Sequence, residues 1–172
     1  MAHPEFEPGP PGENSIELAR VVDRGIRSAE CVDLKKLVLP DGKCLGIFVD
    51  VYILDHSGNL IDCAALAAMK ALLHTRVPKY EGEKLVREET DRMLEIQRRA
   101  VSCSFEKIWS KVIIDANEEE ELASDGRLTL ATCGSGLLCA GQKSGKAGFK
   151  KDELLQLADV ALEKGDELRK LL

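Results

Sequence analysis

Residues 61 to 73, running Ile61-Asp62-Cys63-Ala64-Ala65-Leu66-Ala67-Ala68-Met69-Lys70-Ala71-Leu72-Leu73, constrain this chain more than any other stretch. Ala and Leu are the strongest helix formers among apolar residues, and the block is apolar nearly all round. A helix of that kind has no polar face to leave in water, so other elements must cover most of its sides. It is too short to cross a bilayer, which takes about 20 apolar residues. The chain therefore needs a globular body around this helix. Its 172 residues, 44% hydrophobic and 31% charged, are enough to build one. The opening Met1-Ala2-His3-Pro4-Glu5 lacks the basic and apolar regions of a signal peptide.

The flanking pattern says what covers the helix. Residues 1 to 13 hold four of the six prolines and read as extended and irregular. Asn14 with Glu17 fits a capped helix start, predicting a helix over 15–28 with Leu18, Val22 and Ile26 on its apolar face. Cys44 to Leu54 alternates, with Leu45, Ile47, Val49, Val51 and Ile53 on one side, and predicts a strand. Residues 79 to 99 are the most charged part and read as a linker or surface excursion, with room for a short helix over 91–98. Strands are expected over 100–105 and 111–115, then over 127–132 and 137–142 as a hairpin turning at Gly134-Ser135-Gly136. Asn117 to Ala123 reads as an acidic turn or short helix. An amphipathic helix over 151–172 closes the chain. Blocks of helices and strands in this order imply an α+β fold.

Candidate chemistry is sparse. The six cysteines, at 31, 44, 63, 103, 133 and 139, form no Cys-x-x-Cys pair and mostly sit in apolar runs. They read as reduced core thiols of a cytoplasmic protein. The three histidines are scattered, so no metal or other cofactor is expected. Gly141-Gln142-Lys143-Ser144-Gly145-Lys146-Ala147 looks like a phosphate loop but lacks the first Gly and the final Ser or Thr, leaving a flexible basic loop. Asp115, Glu118 to Glu121 and Asp125 could attract a hard cation, though such a run is ordinarily a solvated surface. Arg20, Arg24 and Arg27, at i, i+4 and i+7, form a basic stripe on a chain of net charge −6. Guanidinium groups so spaced can grip phosphates. The plainer reading is a solvated face partnered by Glu17 and Asp23.

Pro4 to Pro11, followed by Ile16-Glu17-Leu18-Ala19-Arg20-Val21-Val22-Asp23-Arg24-Gly25-Ile26-Arg27, resembles the RNase PH superfamily. So do Phe48-Val49-Asp50-Val51, the stretch from Asp55 through Gly58 to Asp62, Ile114 to Glu120, and Gln142-Lys143-Ser144-Gly145. The pattern is most similar to the non-catalytic RNase PH-like ring subunit of the archaeal exosome. The resemblance covers nearly the whole chain except 79–99. It implies helices packed on mixed β-sheets, as in ribosomal protein S5 domain 2. Residues 1–78 would be what remains of a first subdomain, 79–99 a charged linker and 100–172 a second subdomain. The first strands of the family are missing from this sequence, so the first subdomain is expected to be incomplete and the chain truncated.

The resemblance also implies a role. Active members bind inorganic phosphate with a Gly-x-Thr-Arg-Thr segment, where this chain has Gly58-Asn59-Leu60-Ile61-Asp62. They place two acids six residues apart, where this chain has Glu121 and Arg127. An arginine is neither an acid at neutral pH nor a cation ligand. The expectation is a subunit with no catalytic residues that supports 3′-to-5′ RNA degradation. It would be hetero-oligomeric with a catalytic RNase PH-like exosome subunit, touch single-stranded RNA through Arg20, Arg24 and Arg27, and have no membrane role. A free-standing phosphate-dependent exoribonuclease is the alternative.

Overall fold

A computed structural model of the chain describes residues 6, 9–81 and 84–172; the expectation for residues 1–5, 7 and 8 lies outside them. Helix α1 spans Glu13–Ser28 and starts two residues earlier than its capping pattern suggests, from Gly12 in extended conformation. Asn14 is therefore inside the helix rather than its cap. A 3-10 turn over Leu34–Leu37 follows, capped by the Asp33 carboxylate, which accepts from the Lys35 N–H. The apolar block is α2, Leu60–Leu73, entered through Gly58 at φ 102° and Asn59 at φ 48°. A Cβ on Gly58 would lie 2.5 Å from the Ala116 carbonyl oxygen, so only glycine fits that entry.

The expected strand over 44–54 does not form. The segment runs extended, but no neighbouring strand lies beside it among the described residues, and a strand exists only by its ladder. The alternation survives without the ladder: Ile53 is buried and Ile47 half-buried, while Phe48 and Tyr52 point outward. Between this segment and α1 lies a cavity of about 1340 Å³ walled by Ile47, Val49, Val51 and Ile53 on one side and Leu18, Val22 and Ile26 on the other.

The charged stretch forms a β-hairpin, and no helix occurs in it among the described residues. Strand β1 (Arg76–Glu81) pairs antiparallel with β2 (Lys84–Met93), with register shifts around Pro78. Charge pairing helps so polar a ribbon hold: Lys79 pairs across it with Glu89 and along its own strand with Glu81. Tyr80 donates to Asp41 and Arg92 donates to the Lys36 carbonyl, anchoring the ribbon to the body.

The main sheet has the order β4-β3-β5-β6, from β3 (Val101–Ile108), β4 (Lys111–Ile114), β5 (Gly126–Thr132) and β6 (Leu138–Gly145), with a short α3 (Glu118–Leu122) between β4 and β5. Every pairing among the described residues is antiparallel, where a mixed sheet was expected. Lys143 to Gly145, read as loop, belong to β6 because Leu128, Arg127 and Gly126 of β5 offer them a ladder. Helix α4 (Lys151–Arg169) packs on one face against Cys103, Phe105 and Leu128 through Leu157, Val160 and Ala161. Helices α1 and α2 cover the other face. Phe105 is 2% exposed, and burying such a ring contributes about 3 kcal/mol at most. No helix among the described residues is long and apolar enough to cross a membrane.

Candidate nucleic-acid interface

The sheet face under α1 and α2 is polar, which a sandwich of this size tolerates only if each group finds a partner. Cross-strand register brings Glu106, Arg127 and Ser144 into one row and Ser104, Thr129 and Gln142 into the next. Both rows are paired inward. Ser104 donates its N–H and its hydroxyl to the two oxygens of Asp62 on α2, each at 2.8 Å, and its Oγ lies 2.9 Å from that of Thr129. Burial is the main effect on Asp62 and pushes its pKa up, against the bonds from Ser104 that pull it down.

The neighbouring row is charged. Arg127 pairs through Nε with Glu106, which is nearly fully buried, and through Nη2 with Glu121 at 2.9 Å. Burial works against the Arg127 charge, but the bond and charge of Glu106, with Glu121 and Glu17 nearby, hold its pKa above the ordinary value. Glu121 also accepts the backbone N–H of Asn59, at the start of α2, at 3.0 Å. A helix N-terminus is a ready anion site; here the anion is the protein's own carboxylate. Asn59 donates its side-chain amide to Asp115 at 2.8 Å. The acidic run therefore divides: α3 is closed by an Asn117–Glu120 capping box, and Glu121 turns inward. No group of three His, Cys, Asp or Glu among the described residues is arranged to hold a metal.

The arginine stripe lies along α1 beside these rows. Its three members differ in a way spacing does not show. Arg24 is half-buried and donates to Gln142 of β6 at 2.5 Å. Arg27 is exposed but committed to Asp23 one turn back, at 2.9 and 3.1 Å. Arg20 is exposed and makes no hydrogen bond or ion pair among the described residues. Glu106 and Gln142 were not singled out by sequence reasoning. The only signal for either was strand register: Lys107 beside Glu106 points to the opposite face of β3, toward Glu153, so the acid needs a cation on the neighbouring strand.

Comparison with known proteins gives one consistent result. The 3′ exoribonuclease family profile matches in two parts, domain 1 over residues 1–78 and domain 2 over residues 99–164. An exosome complex component, Rrp42, of Thermococcus gammatolerans is 46% identical over 178 residues, covering 100% of this chain and 65% of that protein. The same-named component of Methanothermobacter thermautotrophicus is 41% identical, covering 98% of this chain and 64% of that one. The chain thus spans about two thirds of the length of these relatives. Among solved structures, the Archaeoglobus fulgidus exosome with RNA bound to the active site contains a chain 40% identical, with a TM-score of 0.82 over 99% of this chain and 66% of that one. An archaeal exosome core matches at 39% identity and a TM-score of 0.78, covering 92% of this chain and 63% of that one.

Proposed function

Because this chain belongs to the 3′ exoribonuclease, RNase PH-type family, we propose that it is a non-catalytic, RNA-holding subunit of an exosome-type ring. In this reading a catalytic RNase PH-like partner degrades single-stranded RNA from its 3′ end, and this subunit supplies one wall of the RNA path. Residues 1–78 and 100–172 are its two halves, joined through 79–99, and it works in the cytoplasm. The relatives carry the name of an exosome component, and one matching structure holds RNA.

The observation that carries the non-catalytic part is the Glu106–Arg127–Glu121 cluster. The α2 N-terminus, where the family resemblance puts phosphate, already holds Glu121, and Leu60 and Ile61 offer no polar side chain there. A phosphate would have to displace a carboxylate that is also paired to Arg127. The position six residues on is a cation locked between two acids. The RNA-holding part is supported by Arg20, a guanidinium with no hydrogen bond or ion pair among the described residues, on a basic stripe of an acidic chain. Contacts of this type grip the backbone and carry no sequence information.

The test is a ring reconstituted with a catalytic RNase PH-like partner. Arg20→Ala should make the salt dependence of RNA binding shallower by about 0.7 in slope, the loss of one single-strand phosphate contact. Arg27→Ala should do less, because Asp23 already offsets its charge. Arg24→Ala should follow Arg20→Ala only as far as the Gln142 bond leaves its guanidinium free. Unchanged RNA binding and processing by the Arg20, Arg24 double variant would reduce the stripe to a solvated helix face. Phosphate-dependent release of nucleoside diphosphates by the purified chain alone would favour the free-standing exoribonuclease instead.

A further inference from the structure

The far end of the main sheet carries a second basic feature. Five residues along β5 from Arg127, about 17 Å at strand rise, the chain reaches Thr132 and the β5–β6 turn. There Gly134, Ser135 and Gly136 all have positive φ, at 92°, 54° and 69°. A pocket of about 430 Å³ opens beside the turn, lined among others by Arg98, Arg99 and Arg169, with no Asp or Glu in its wall.

The three arginines reach it from separate elements. Arg169, from the end of α4, is held in place: Nη1 donates to the Thr132 hydroxyl at 2.8 Å and carbonyl at 3.2 Å, and Nη2 donates to Asp166 at 2.5 Å. Its Nε lies 3.8 Å from where a Gly134 side chain would begin, so the guanidinium covers the turn. Arg98 donates one Nη1 bond to the Ala29 carbonyl at 3.3 Å, which leaves its other donors unused. Arg99 is exposed and makes no bond among the described residues. The N–H groups of Gly134, Ser135 and Gly136 make no hydrogen bond among the described residues, and Ser135, which lines the pocket with Gly134, adds a hydroxyl. The acid paired with Arg169, the exposed Asp166, lies outside the wall. Such a set of forked donors around a concave space suits a tetrahedral, multiply charged oxyanion far better than a carboxylate or an apolar ligand.

We propose that this pocket is a binding site for a phosphate group, separate from the arginine stripe of α1 and independent of it. The group is either free inorganic phosphate or a phosphate of a nucleic-acid chain. Both present the same oxygens, so the experiment takes them in separate arms. In the isotope-labelled full chain, backbone amide signals of Gly134, Ser135 and Gly136 are followed at constant ionic strength. One arm titrates inorganic phosphate, a second a short oligouridylate, and sodium chloride is the control. Saturable movement of these three signals is expected in at least one arm, and the arm that saturates identifies the source. Arg99→Ala removes no contact the fold uses and should weaken that saturation about tenfold, the loss of one charged hydrogen-bonding partner. Signals that stay still in both arms, that move equally with chloride, or that respond identically in the Arg99→Ala variant would overturn the proposal.

Discussion

At Arg127 the chain holds a structural ion pair with Glu106, and the energetic consequence is specific. Glu106 is 4% exposed and takes its countercharge from Arg127. Truncating one partner of a buried pair leaves the other desolvated and alone, which costs about 3–5 kcal/mol. Arg127→Ala should therefore lower the denaturant midpoint sharply. The double variant Glu106→Gln, Arg127→Met should recover most of the loss, because two neutral groups of similar size leave no orphan charge. Asp62 behaves in the opposite sense. Its pKa is raised in the fold by burial, so between the unfolded carboxylate range near 4 and that raised value the native state holds the extra proton. Stability should fall as pH rises through this window, and Asp62→Asn should flatten that slope in pH-dependent thermal melts. The sequence announced Arg127 as a misfit at its position. It did not announce Glu106, whose role exists only through the register of β3 on β5. The thiols follow the same logic of burial. Desolvation raises the Cys103 pKa to about 12, while Cys44 and Cys63 are exposed. Alkylation under native conditions should label Cys44 and Cys63 well before Cys103, with mass spectrometry recording the order.

Among the elements, those with a strong period or a local signal were legible, and those that depend on a distant partner were not. Helices α1, α2 and α4 and the two hairpins of the main sheet fall where apolar spacing and Gly-rich turns put them. The stretch 44–54 shows the limit. Its alternation is that of a strand and still directs Ile53 inward, but alternation cannot supply the neighbour that a ladder requires. The β1–β2 ribbon fails in the opposite direction: its charges hid a strand pairing that the Lys79–Glu89 ion pair spans. Gly165 is a third case. A glycine inside a helix looks like a weakness, and Ala would ordinarily gain about 1 kcal/mol there. In α4, however, a Cβ at 165 would collide with the Thr132 hydroxyl and come within 3.3 Å of the Arg169 guanidinium. Gly165→Ala should thus destabilise, by about 1–3 kcal/mol as overpacking does, despite the gain in helix propensity. A melting temperature above the parent's would show that α4 can shift off β5 at no cost.

At the scale of the whole molecule, two surfaces of opposite character sit on either side of α1. One is the arginine stripe. The other is the extended 45–54 segment, where Phe48, Tyr52 and Leu54 are 90%, 80% and 71% exposed beside the large cavity. Exposed apolar groups this close together normally mark an association surface. The net charge of −6 opposes self-association, because like-charged copies repel until salt screens them. Phosphate gripping by the stripe has the reverse dependence, since salt competes with counterion release. The two activities should therefore separate along one axis: sedimentation of the chain alone should show larger species as salt rises, while RNA binding by the reconstituted ring weakens. Replacing Phe48, Tyr52 and Leu54 with glutamate should keep the chain monomeric at every salt concentration and leave the salt slope of RNA binding unaltered. If that variant still self-associates as the parent does, the contact lies elsewhere on the surface, and the exposed side of 45–54 is a solvated strand face.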